Sequence, residues 1–229
     1  MRPLLRGAVA AAVLSLAPVA VVTSSAPASA LVDVPTVASF DPDITKRGVA
    51  GSFLSITGDL DAPNESGCSS FHAGDTFLQA QQPGSSVWKN VATDPSSGFL
   101  SFPDYDSYKT NTKLRIAYPG GTSGECVYQP TTSGTISIKV LREFDISNVS
   151  GKRQPTADIK VSPKFGKKKL LVQKKKGKGY QPFRKVKTNK KGKVRLSVPG
   201  SRKGIKYRLV APKDKNFVAT KTIITATVF

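Results

Sequence analysis

Histidine, methionine and tryptophan each occur once in these 229 residues, and cysteine occurs twice. Histidine-rich metal sites, four-cysteine zinc sites and multi-thiolate clusters therefore cannot be built. A Ser-His-Asp or Cys-His mechanism would have to run through His72 alone. Acidic residues are also scarce, 15 against 35 Lys and Arg, for a formal net charge of +20. No G-x-S-x-G, H-E-x-x-H or phosphate-cradling glycine loop is present. His72, in Ser69-Ser70-Phe71-His72-Ala73, reads as a residue of a polar loop. The sequence points to no catalyst, no cofactor and no metal centre. An enzyme of unrecognised type, such as a two-carboxylate hydrolase, is the least favoured reading, because small sandwiches rarely form a deep cleft.

A long apolar run occurs only near the start, at residues 8–22. Arg2 and Arg6 precede it, and Ala28-Ser29-Ala30 follows as a small-residue cleavage site. Residues 1–30 thus read as a cleaved signal peptide, with Pro18 and the short run arguing against a retained anchor. The mature chain is expected to be secreted, either free or associated with the cell wall, with no transmembrane segment. An even cysteine count in an oxidising compartment favours one Cys68–Cys126 disulfide over two free buried thiols.

The charge is unevenly spread. Residues 31–140 hold 7 Lys/Arg and 11 Asp/Glu, a net of −4. Residues 141–229 hold 26 and 4, a net of +22. The step places a domain boundary near residue 141. Both halves read as β: short runs of period two, rich in Val, Ile, Thr, Phe and Tyr, punctuated by Asp94-Pro95, Pro119-Gly120-Gly121, Asn189-Lys190-Lys191-Gly192 and Pro199-Gly200. Strands are expected at 36–40, 49–58, 75–81, 86–92, 98–103, 112–118 and 134–141. The second set is 142–149, 157–162, 168–175, 182–188, 192–198, 205–211 and 221–228. Seven short strands per about 100 residues suit an immunoglobulin-like sandwich.

The two halves share a pattern. Phe77-Leu78-Gln79, Val87-Trp88-Lys89 and Lys113-Leu114-Arg115 correspond to Leu171-Val172-Gln173, Pro182-Phe183-Arg184 and Lys206-Tyr207-Arg208. Offsets of 94 for the glutamines, 95 for Trp88 with Phe183 and 93 for the arginines mark two tandem copies of one unit. The expected architecture is all-β: a signal peptide at 1–30, a first immunoglobulin-like domain at 31–141 and a strongly basic second one at 142–229.

This order of motifs resembles the immunoglobulin-like repeats of secreted bacterial proteins, especially actinobacterial ones. The resemblance covers most of residues 36–229 and implies a cell-surface, adhesive or accessory module that is not a catalyst. The cysteine pair is not part of the usual repeat. In such a sandwich Cys68 would follow the second strand and Cys126 would lie between the sixth and seventh, at the same end, so a bridge is topologically allowed.

Three surface features could bind something. The pairs Asp41/Asp43, Asp59/Asp61 and Asp104/Asp106 have carboxylates at i and i+2, which calcium could use, although aspartate is equally a turn residue. In the basic half, alternation turns Leu170, Val172, Val186, Tyr207 and Leu209 inward. It turns Gln173, Lys175, Lys185, Lys187, Lys206 and Arg208 outward. The expected partner of that face is an anionic cell-envelope polymer or another polyanion. The alternatives are a solvated surface with no ligand, and a structural or adhesive spacer that binds a protein partner. Finally, the acidic turns of the first domain (Asp41, Asp43, Asp104, Asp106) are expected to meet basic turns of the second (Lys164, Lys167, Lys213, Lys215) across a short junction.

Overall fold

The described residues form strands and connecting turns, and among them no helix forms. The computed structural model describes residues 31–62, 67–68, 73–95, 98–147 and 154–229. His72 and the signal peptide expected at 1–30 lie outside them.

The N-terminal sandwich is built from β1 (Val32–Val34), β2 (Val37–Phe40), β3 (Arg47–Val49), β4 (Thr57–Asp61), β5 (Thr76–Gln81), β6 (Lys89–Asp94), β7 (Phe99–Ser101), β8 (Thr112–Tyr118), β9 (Gly121–Ser123), β10 (Cys126–Tyr128), β11 (Thr131–Thr132) and β12 (Ile136–Leu141). One sheet has the order β2-β4-β7. The facing sheet has the order β3-β12-β8-β5-β6, with β11 beside β8 and β3 parallel to β12. Between them Leu60, Leu78, Leu100, Leu114 and Ile116 are buried.

The continuous strand expected at 49–58 does not exist. β3 stops at Val49, Gly51 takes φ of +83°, and the Ser52 N–H donates to Val49 O at 3.0 Å. A side chain at that φ is strained, so glycine allows the turn where the apolar alternation predicts none. The strand resumes as β4. The hairpin β9–β10 and strand β1, which pairs parallel with β10, are further departures from the expected strands. They cover one end of the sandwich, and there Cys126 bonds Cys68.

The C-terminal sandwich contains β13 (Glu143–Ser147), β14 (Thr156–Ser162), β15 (Lys169–Lys176), β16 (Gly179–Lys187), β17 (Lys193–Ser197), β18 (Ile205–Ala211) and β19 (Thr220–Ala226). These form β13-β14-β17 and, facing it, the basic sheet β16-β15-β18-β19. Leu170, Val172, Tyr207 and Leu209 are buried between the sheets and Val186 packs against them. The Tyr207 hydroxyl donates to Pro199 O at 2.8 Å, fastening β18 to the chain upstream as the tyrosine corner of immunoglobulin-like folds does.

Residues 31–229 form one compact unit. Phe217, from the loop between β18 and β19, is buried in the hydrophobic cluster of the N-terminal sandwich. The flanking backbone is bound there too. Val218 N–H donates to Val140 O at 2.9 Å, and Asn111 N–H donates to Asn216 O at 2.8 Å. Arg142, between β12 and β13, has a fully buried side chain. Its Nε donates to Pro163 O at 3.1 Å and its guanidinium pairs with Asp214. The guanidinium also lies 4.3 Å from the Phe217 ring centroid and 5.1 Å from that of Phe165.

Candidate cationic sheet face

Register decides which side chains share a face. On β15 the outward residues are Lys169, Leu171, Gln173 and Lys175, since Leu170 and Val172 are buried. Lys169 lies opposite Lys187, Leu171 opposite Lys185, Gln173 opposite Arg208, and Lys175 opposite Tyr180. Lys206 and Arg208 alternate with buried Tyr207, and Lys221 lies opposite Val210. The five expected polyanion ligands, Lys175, Lys185, Lys187, Lys206 and Arg208, thus lie on one face, and Lys169 and Lys221 join them. No strand residue on that face is a carboxylate. Glu143, Asp145 and Asp158 lie on the opposite sheet. There Asp158 takes two hydrogen bonds from Arg195, at 2.7 and 2.9 Å. The Arg195 hydrogen bond holds the Asp158 carboxyl below its usual range. Asp214 is enclosed at the junction with Arg142 and Lys168.

One cation on this face is held in place. Arg208 Nε donates to Gln173 Oε1 at 2.7 Å, and the guanidinium stacks 4.4 Å from the Tyr180 ring centroid. The N-terminal sandwich repeats the arrangement. Arg115 Nε donates to Gln79 Oε1 at 2.8 Å, and the guanidinium lies 4.4 Å from the Trp88 centroid. Both copies carry a register shift in the strand, between Leu78 and Gln79 and between Val172 and Gln173. This corrects one anchor of the repeat. The counterpart of Trp88 is Tyr180, not Phe183. Phe183 instead sits 5.5 Å from the inward ring of Tyr207. The offset from Trp88 to Tyr180 is 92, because the chain from the glutamine to the aromatic is two residues shorter in the second copy.

The acidic and basic turns expected at the junction are placed differently. Asp41 Oδ1 accepts the Asp43 N–H at 2.8 Å, and Asp41 Oδ2 accepts the Thr57 hydroxyl at 3.3 Å. Among the described residues no ion pair joins Asp41, Asp43, Asp104 or Asp106 to Lys164, Lys167, Lys213 or Lys215. Lys164 and Lys167 take φ of 54° and 59° in the turn between β14 and β15. Lys215 does reach the N-terminal sandwich, where its carbonyl accepts from Asn111 Nδ2 at 3.5 Å. The ion pairs at the joint are Arg142–Asp214 and Lys168–Asp214. Sequence reasoning missed Asn111, Arg142, Asp214 and Phe217. The signal available was a lone Asp in a lysine-rich segment, Lys213-Asp214-Lys215.

Burial works to raise the Asp214 pKa. Hydrogen bonds from Lys168, Arg142 and the Asn216 N–H outweigh it and bring the value to about 2. Among the described residues no group of three His, Cys, Asp or Glu stands close enough to hold a metal ion. No helix among them is long and apolar enough to cross a membrane.

No family model and no curated protein matches the chain. Solved structures of immunoglobulin- and fibronectin-like domains are weakly similar. The FN1–FN3 domains of chicken CNTN1 are 12% identical over 86% of this chain and 69% of theirs, with a TM-score of 0.25. The NIE–MG1 domains of native alpha-2-macroglobulin from Escherichia coli are 12% identical over 84% of this chain and 98% of theirs, also at 0.25. The strand order itself gives the described residues the form of two tandem immunoglobulin-like sandwiches.

Proposed function

We propose that the protein is an extracellular, non-catalytic module whose C-terminal sandwich binds an anionic envelope polymer. One observation carries this reading. The outward face of β16-β15-β18-β19 presents Lys169, Lys175, Lys185, Lys187, Lys206, Arg208 and Lys221, with no carboxylate among its strand residues. Such a face attracts polyanions by releasing their counterions, and it needs no pocket. The disulfide supports an oxidising compartment. Binding should be steep in salt and indifferent to the order of units along the polymer. The test neutralises Lys185, Lys187, Lys206 and Arg208 together. On polyphosphate or DNA resin the variant should elute at lower salt, its log–log salt slope reduced by roughly 0.7–0.9 for each phosphate no longer neutralised. Elution of the unaltered protein at low salt would refute the proposal.

A further inference from the structure

The N-terminal sandwich is acidic overall, yet its large sheet is not. The outward residues of β3, β12, β8 and β5 include Arg47, Lys139, Lys113 and Arg115. No strand residue of that face is a carboxylate: Asp94 on β6 pairs with the inward Thr76 and is buried. Asp59 and Asp61 lie on β4 in the other sheet. Four of the seven cations in residues 31–140 therefore share one face.

That face meets the basic face of the C-terminal sandwich. A groove of about 700 Å³ at the junction is lined by Arg47 and Lys139 from the first sandwich and by Lys221 from the second. A neighbouring groove of about 320 Å³ brings Lys113 and Lys139 together with Lys215. No acidic side chain lines either groove. The two cationic faces are thus continuous through the junction.

The held arginines indicate what kind of anion fits. In both sandwiches Nε is occupied by a glutamine carbonyl and one face of the guanidinium is covered by an aromatic ring. The terminal nitrogens are left as a pre-oriented fork, which matches two oxygens of a phosphate and loses little side-chain entropy on binding. A lysine offers charge without that geometry.

We infer that both sandwiches bind one linear phosphate-bearing polymer along a single track. Arg115 and Arg208 are its two anchors, and Arg47, Lys139 and Lys221 carry it across the junction. The inference rests on the polyanion reading above, and adds the first sandwich and the phosphate chemistry to it.

The test uses the whole chain and long-chain inorganic polyphosphate, with tripolyphosphate as a three-phosphate probe. Arg115→Gln and Arg208→Gln should each weaken long-chain binding about tenfold. Arg47→Gln with Lys139→Gln should lower the salt slope by roughly 1.4–1.8. Arg115→Lys should also weaken binding, because it keeps the charge and loses the fork. Tripolyphosphate should bind far more weakly than the long chain, by more than the number of phosphates accounts for. Circular dichroism of each variant establishes that it is folded. If the first-sandwich variants bind long-chain polyphosphate with unchanged affinity and slope, the continuous track is refuted, while weaker binding by the second-sandwich quartet still upholds the narrower proposal. If Arg115→Lys binds fully, the phosphate fork is refuted. Tighter binding to anionic lipid vesicles than to polyphosphate would overturn a polymer as the ligand.

Discussion

Arg142 is the fully buried charge beside the joint. A fully buried guanidinium is costly unless paired, and Asp214 is its only carboxylate among the described residues. Removing one partner of such a pair leaves the other charge buried and uncompensated. Asp214→Asn should therefore destabilise the fold by about 3 kcal/mol, measured by chemical denaturation at neutral pH. Replacing Arg142 and Asp214 together with apolar residues should cost less. The pair also sets an acid limit. The folded pKa of Asp214, about 2, lies below its ordinary value of 3.8. Its stabilisation is complete above about pH 4 and is lost as pH falls through about 2. Denaturation midpoints between pH 5 and 2 should drop more steeply for the unaltered protein than for Asp214→Asn. Parallel curves would show that the carboxylate is not what Arg142 requires.

Turns and strands were legible where one residue type carries one conformation. Asn189-Lys190-Lys191-Gly192 reads as a turn in the sequence and is one in the structure. Asn189 Oδ1 accepts the N–H groups of Lys191 and Lys193, at 2.9 and 3.0 Å. Gly192 has φ of +76°, and a Cβ there would stand 2.4 Å from Val161 O. Gly192→Ala combines a strained backbone with a backbone clash, so it should destabilise by more than about 1 kcal/mol in thermal or chemical unfolding. All seven strands expected after residue 141 form, within about three residues at each described end, and residues 148 and 149 of the first lie outside the described residues. The N-terminal sandwich was harder to read because its irregular pieces follow no period: β9, β10 and β11 are two or three residues long. The disulfide was legible because only two cysteines exist. It closes a separation of 58 residues, so replacing both by serine should cost up to about 4 kcal/mol on the chain-entropy account.

At the scale of the molecule, the charge step near residue 141 is visible in the sequence, but the segregation by face is not. Period-two alternation assigns Lys113 and Arg115 to one side of β8. Only strand order shows that this side joins Lys139, Arg47 and Lys221. The joint was the least legible feature. Phe217 sits in a loop, and nothing in the apolar pattern assigns it to the other sandwich's core. Its burial there, with the Val218–Val140 and Asn111–Asn216 hydrogen bonds, makes the contact apolar and backbone-based. Salt screens exposed charges beyond a Debye length of about 10 Å at 0.1 M and leaves such contacts nearly untouched. Solution scattering of residues 31–229 should therefore give the same interdomain distance distribution at low and high salt, and calcium should not tighten it. Phe217→Ala should lower stability by about 3–5 kcal/mol and broaden that distribution, with the two sandwiches no longer unfolding together. A distribution that loosens with salt in the unaltered protein would mean that exposed ion pairs, and not Phe217 and its flanking hydrogen bonds, hold the sandwiches in place.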